Sequence, residues 1–260
     1  MKKLFACILA GVMLLSMMAC SKDEVVVGGD LDDGDEDVLI IQGAAGEETY
    51  EYEITSGNTI EITSYSGAYD LHAVVVPDEI DGRPVTSIGD KAFYHANNIT
   101  SVTIPATVTE IGDWAFTGCN YLTSVTGSDA VTAIGKGAFC QSPALETVQL
   151  SSTLTSIGDY AFKDCSALKS AALPSTLTSI GAAAFENCAA LTSVSIPSSV
   201  ESIGLLAFSG CAKISAVTLT AGTTEIGDFA FNGCADGLVI TCPAGSAAAT
   251  YAKNAGIATK

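Results

Sequence analysis

The sequence predicts a repeat solenoid, and three observations carry that prediction. Ile-Gly recurs at Ile88, Ile111, Ile134, Ile157, Ile180, Ile203 and Ile226, each step being 23 residues. Ala-Phe follows four residues after each of these isoleucines, from Ala92-Phe93 to Ala230-Phe231. A strand-like stretch precedes each pair, as in LTSVSI at 191–196, with apolar residues in its first, fourth and sixth places. A unit of this length cannot bury its apolar face alone, so it stacks on the next copy. The expected architecture is one elongated coil of parallel β-strands and short helical turns. Eight stacked coils at the spacing of neighbouring strands are roughly 35 Å long.

Composition narrows the function classes. Hydrophobic residues make up 48% and charged residues 15% of the 260, which excludes a chain disordered throughout. The formal charge is −18, with 29 Asp and Glu against 11 Lys and Arg. That balance argues against nucleic acid, whose phosphates need a basic surface, and against docking on anionic lipid through a basic patch.

Taken in order, residues 1–19 carry Lys2 and Lys3, an apolar run too short to span a bilayer, and Ala19 before Cys20. This is the layout of a secretory signal. It resembles a bacterial lipoprotein signal, departing from the usual pattern at Met17, and the resemblance implies cleavage before Cys20 and lipid on that cysteine. Losing Lys2 and Lys3 but no acid would take the formal charge from −18 to −20. Residues 20–47 cluster acids at Asp30, Asp32, Asp33, Asp35, Glu36 and Asp37, and are expected to form an extended, flexible tether. Calcium is the competing reading, but counted from Asp30 the Gly is fifth and Ile41 is twelfth, which fails the EF-hand spacing. The SKDE that follows Cys20 looks like the acidic export tag of surface-exposed lipoproteins.

Residues 48–70 alternate Tyr50, Tyr52, Ile54 and then Ile60, Ile62 with polar neighbours around Ser56-Gly57-Asn58, which predicts a strand pair capping the solenoid. The coils run over 71–243. Alternation turns Val194 and Ile196 inward and Ser193 and Ser195 outward, and Pro77, Pro105, Pro174, Pro197 or Pro243 ends the strand. Asp90, Asp113, Asp159 and Asp228 follow Ile-Gly where a helix cap would stand, with Lys136, Ala182 and Leu205 in the other copies. Residues 244–260 predict a short helix from about Ser246 to Gly256 as the second cap.

The unit L-x-x-V-x-I-P-x-x-V-x-x-I-G-x-x-A-F-x-x-C closely resembles the BspA-like leucine-rich repeats over about 71–243. The resemblance implies a right-handed leucine-rich-repeat solenoid. It also implies a cell-surface role as an adhesion or protein-binding module, with partners such as host matrix or cell-surface proteins. The alternatives are a structural or assembly lipoprotein facing the periplasm and a glycan-binding accessory protein. An outer-membrane lipoprotein exposed at the cell surface is the expected location.

Cys119, Cys165, Cys188, Cys211 and Cys234 share one repeat position, three after Phe, where Ala96 and Ser142 stand in the other copies. The small size of all seven predicts a buried slot, and a column of thiols rather than a metal cluster, with disulfides as the competing reading. Cys140 stands off this register and is expected to be more exposed, whereas Cys242 falls on an inward strand position.

His72 and His95 sit in no ligand or nucleophile spacing, and no hydrolase, P-loop or dinucleotide motif occurs. The expectation is therefore a protein without catalysis, cofactor or metal. The residue just before Ala-Phe varies most: Lys91, Trp114, Gly137, Tyr160, Ala183, Leu206, Phe229. Variation on a constant scaffold marks a binding face, with Trp114 and Tyr160 as its anchors and Phe229 as a further candidate binding residue. The competing reading is that these side chains only shield the coil edges.

Overall fold

The computed structural model describes residues 24–26, 39–42, 48–67 and 69–260. Residues 1–19, read as a signal, and Cys20 lie outside the described residues. The chain is a parallel β-solenoid with the 23-residue period, and its strands fall in two sheets rather than one. The longer sheet is built from residue pairs ending in the repeated isoleucine, such as Glu110–Ile111, Ala133–Ile134 and Ser156–Ile157. Each pairs in parallel with its copy one coil away, in unbroken register as far as Glu225–Ile226. Sequence reading missed these strands because two residues leave no room for alternation. The Gly after each Ile is required by the neighbouring coil: a Cβ on Gly204 would lie 2.4 Å from the backbone nitrogen of Ala182.

The second sheet is the one the apolar spacing predicts, and it is interrupted. His72–Val75, Ile99–Thr103, Ser124–Thr126 and Thr147–Val148 pair in parallel. A single bridge then joins Thr147 to Ser170, and pairing resumes at Ala216–Thr218 with Val239–Thr241 and Ala258–Thr259. The stretches LKSAALP and LTSVSIP, expected as strands, are not hydrogen-bonded ladders. In LKSAALP, Ala171 and Ala172 stand where other coils carry larger residues, and alanine supplies little of the packing that stabilises a pleated surface, which leaves LTSVSIP without a strand to pair with on that side. The inward alternation survives there, with Val194 and Ile196 buried and Ser193 and Ser195 exposed.

At the N-terminal end, Thr49–Ile54 and Ile60–Ser66 form an antiparallel pair, and the second lies parallel against Arg83–Ile88. This sheet continues into the segment read as a tether. Leu39–Gln42 pairs antiparallel with Thr49–Ile54, and Glu24–Val26 with Leu39–Gln42. The acidic cluster dominated the reading of 20–47, but it is flanked by Val25-Val26-Val27 and Leu39-Ile40-Ile41, runs of strand-forming residues. At the other end the helix Ala247–Ala255 starts at Ser246, whose hydroxyl accepts from the Ala249 N–H, and stops at Gly256 in the left-handed region.

The core is a set of columns. Phe93, Phe116, Phe139, Phe162, Phe185, Phe208 and Phe231 stack with centroids 4.7–5.4 Å apart, nearly parallel. Tyrosines close both ends of the stack. Tyr65 lies on Phe93 at 4.7 Å, and Tyr251 meets Phe231 edge-on while its hydroxyl accepts from the Phe231 N–H. Tyr251 thereby supplies the acceptor that the next coil would have offered.

Candidate binding face

The turn after each Ile-Gly is a run of i to i+3 bonds, seen in Ala92 N–H to Gly89 O, Tyr94 N–H to Lys91 O and Ala96 N–H to Phe93 O. Alternate N–H groups point along the solenoid axis instead. Those of Lys91, Phe93 and His95 donate to the carbonyls of Asp113, Ala115 and Thr117 in the next coil. The aspartates follow the same direction, which corrects the capping expectation. Asp90 Oδ1 accepts from the Asp113 N–H at 2.6 Å, and Asp159 Oδ1 from the Ala182 N–H at 2.7 Å. They tie coil to coil rather than capping their own turn, because the free N–H groups within reach face the neighbour.

Each turn also contains two left-handed residues, which the sequence did not announce. One column of them is Lys91, Trp114, Gly137, Tyr160, Ala183, Leu206 and Phe229, with φ between 53° and 61°. The other, four residues on, is His95, Gly118, Gln141, Asp164, Asn187, Gly210 and Gly233, with φ between 55° and 75°. A side chain in this region costs about 1–2 kcal/mol, and only Gly, Asn, Asp and His visit it at all readily. The second column is filled mostly by those residues. The first, which contains every predicted binding residue, is not.

Trp114 and Tyr160 are half-buried, and Phe229 is 61% exposed. The structure brings the first two to one cleft and leaves Phe229 apart, in a groove between the last coil and the C-terminal helix. The cleft, about 500 Å³, is lined by Lys91, Tyr94, Trp114, Thr117, Cys140, Gln141, Tyr160 and Lys163. The Lys136 ammonium stands 5.8 Å from the ring centroids of both Trp114 and Tyr160, within cation–π range. The Lys163 ammonium is also 5.8 Å from the Tyr160 ring and pairs with Glu186 at 2.6 Å, which holds that lysine above its ordinary pKa. The indole lies across Gly137, where an added Cβ would stand 2.2 Å from Cε3. Lys136, Tyr94, Gln141 and Lys163 were missed. Reading the repeats as vertical columns finds them, since Lys136 is the one basic residue in a column that is otherwise largely aspartate.

The cysteines sit where the repeat puts them. Cys119, Cys165, Cys188 and Cys211 are fully buried and Cys234 partly so, all as free thiols. Each donates to the carbonyl of the Phe 26 residues earlier, Cys119 to Phe93 at 3.2 Å and Cys188 to Phe162 at 3.1 Å. Ser142 repeats this bond to Phe116 at 3.0 Å, so the slot holds a small hydrogen-bond donor. Burial pushes the thiols of Cys119 and Cys211 up to about 12. Cys140, off this register, is buried too, though at 6% it is more exposed than those four, and it lines the cleft. Cys242 packs partly buried against the core.

His72 is a packing residue, with Nε2 2.7 Å from the Tyr65 hydroxyl, and His95 is exposed on the second left-handed column. Among the described residues no group of three or more His, Cys, Asp and Glu could hold a metal ion. No described helix is long and apolar enough to cross a membrane.

Comparison with solved structures places the architecture. The chain is 31% identical to a leucine-rich repeat protein from T. pallidum, over 74% of this chain and 88% of that one, with a TM-score of 0.67. It is 33% identical to a leucine rich cell surface protein from Faecalibacterium prausnitzii, over 77% of this chain and 54% of that one, with a TM-score of 0.68. A leucine-rich repeat protein from Bacteroides ovatus gives 29%, 74%, 57% and 0.63 for the same quantities. The chain thus spans little more than half the length of the last two. No curated protein of established function matches the sequence. The profile of the BspA type leucine rich repeat region matches residues 86–212 and 178–249 in six copies. With its period, its two sheets and most of its length accounted for, the chain belongs to the BspA-type leucine-rich repeat family.

Proposed function

We propose that the protein is a non-catalytic binding module at the cell surface, anchored by lipid on Cys20 and presenting one face of its solenoid to a protein partner. The observation that carries this reading is the first left-handed column. Six of its seven positions hold a side chain where glycine would relieve the backbone, and strain kept in this way is characteristic of functional positions. Trp114 and Tyr160 are the anchors, being aromatic, rigidly based and half-exposed. Family membership and the cell-surface relative from Faecalibacterium prausnitzii support the location.

Protease shaving of intact cells, with a periplasmic protein as control, tests the reading. Cleavage on intact cells while the control survives is the expected outcome. Cleavage only after lysis would replace adhesion with a structural or assembly role facing the periplasm. For a captured partner, Trp114→Ala and Tyr160→Ala should each weaken binding by about ten-fold or more without lowering the unfolding temperature. Unchanged affinity would leave these side chains as edge shields.

A further inference from the structure

We infer that the cleft between Trp114 and Tyr160 takes a sugar ring bearing a carboxylate, so that the partner is recognised through an acidic glycan. This rests on the reading of the first left-handed column as a binding face.

The first ground is a cation without an ion-pair partner. The chain carries a formal charge of −18, yet among the described residues neither Lys136, beside both rings, nor Lys91, in the cleft lining, makes an ion pair. The carboxylates on either side are turned to backbone N–H groups or to another lysine. Asp113 Oδ1 accepts from the Lys136 backbone N–H at 2.6 Å, Asp159 Oδ1 from that of Ala182, and Glu186 holds Lys163. An ammonium held between two aromatic rings has its own anion left to find.

The second ground is the platform. Gly137 is the bare position of its column, and the indole of Trp114 spreads over it. Tyr160 stands two coils from Trp114, roughly 10 Å along the axis at the spacing of stacked strands, which is about the span of a disaccharide. Aromatic faces stack on the C–H face of a sugar, Lys136 meets its carboxylate, and Gln141 and Tyr94 offer polar groups to its hydroxyls. The volume of about 500 Å³ admits such a unit.

The third ground separates glycan from peptide. Peptides are commonly held through main-chain hydrogen bonds. Here the N–H groups of Trp114, Phe116, Gly118 and Gly137 already donate to the next coil, so they are closed to a peptide adding as a strand.

Trp114 is the single tryptophan, so intrinsic fluorescence reports directly on the site. Tetragalacturonate should change the emission saturably, and its methyl ester, which has the same shape without the charge, should bind at least about ten-fold more weakly. Lys136→Gln should lose a similar factor with unfolding unchanged. A sialylated glycoprotein, assayed before and after sialidase, locates the source. Binding lost on treatment places the acidic sugar on glycoproteins, and binding confined to the free oligosaccharide places it on polysaccharide. Equal binding of the methyl ester, equal binding of polyglutamate, or no saturable change with any acidic sugar would overturn the inference. If Trp114→Ala abolishes capture of a protein partner while acidic sugars have no effect, the face stands and the acidic-sugar ligand falls.

Discussion

The two left-handed columns lie four residues apart on the same turns, share nearly the same φ, and are filled by different rules. The column from His95 to Gly233 carries three glycines, an Asn, an Asp, a His and a Gln. It is filled as backbone geometry asks. The column from Lys91 to Phe229 carries Trp, Tyr, Leu and Phe in that same geometry, and glycine once. Backbone requirements cannot account for this difference, so what distinguishes the columns is what their side chains do once displayed.

Three measurements sharpen or break that comparison, and the largest effect belongs to the interior that both columns rest on. Burial raises the thiols of Cys119 and Cys211 from the ordinary value near 9 to about 12. Above pH 9 the unfolded chain gives up these protons while the folded chain keeps them, so stability is present below pH 9 and falls as pH rises toward 12. The slope is about 1.4 kcal/mol per pH unit for each such thiol. Denaturant unfolding from pH 8 to 11 should show this decline, and Cys119→Ser should make it shallower. A flat profile would mean that the thiols are not buried as a column.

Next in size is a challenge to the permissive column. Gly118→Val places a β-branched side chain at φ 70°, where its Cβ would meet the His95 ring at 2.4 Å. A loss of about 2 kcal/mol is expected, a fall of roughly 4–8 °C in unfolding temperature for a chain of this size. A neutral result would show that the turns relax and that the left-handed geometry constrains nothing.

The smallest effect has the opposite sign and bears directly on function. Phe229→Gly removes a largely exposed ring from φ 58°. Relief of about 1–2 kcal/mol, less about 0.5–1 kcal/mol for glycine's extra freedom when unfolded, leaves a small net stabilisation. Calorimetry should record a modest rise in unfolding temperature. If the variant is instead markedly destabilised, the side chain is there to pack, and the argument that the first column is kept for binding weakens.

The repeat was legible because its period is carried by inward residues whose chemistry is simple. Phe, Ile and Cys recur every 23 residues at positions where only small or apolar groups fit, so the core columns could be written down from the sequence. The C-terminal helix was legible too, through Ser246 at its start and Gly256 at its end. The strand-forming ends of the acidic segment were not, because local charge outweighed them until their partner in Thr49–Ile54 was known. The long sheet escaped notice as well, since its strands are two residues each and exist only through their copies one coil away.

The candidate site divides in the same way. Trp114, Tyr160 and Phe229 were found as the variable members of a constant unit, which needs nothing beyond alignment of the repeats. That Trp114 and Tyr160 share a cleft, with the Lys136 ammonium near both rings, while Phe229 stands apart is a consequence of stacking, which brings together residues one and two coils apart. The left-handed φ beneath them was hidden because Trp, Tyr and Leu give no sign of it. By itself the sequence determined the period, the direction of the apolar faces and the membership of the core, since burial depends on residue type and spacing alone. Tertiary structure decided where the aspartates point, which cation comes to lie between the two rings, and which side chains are displayed at a cost to the backbone, since each depends on what the neighbouring coil supplies.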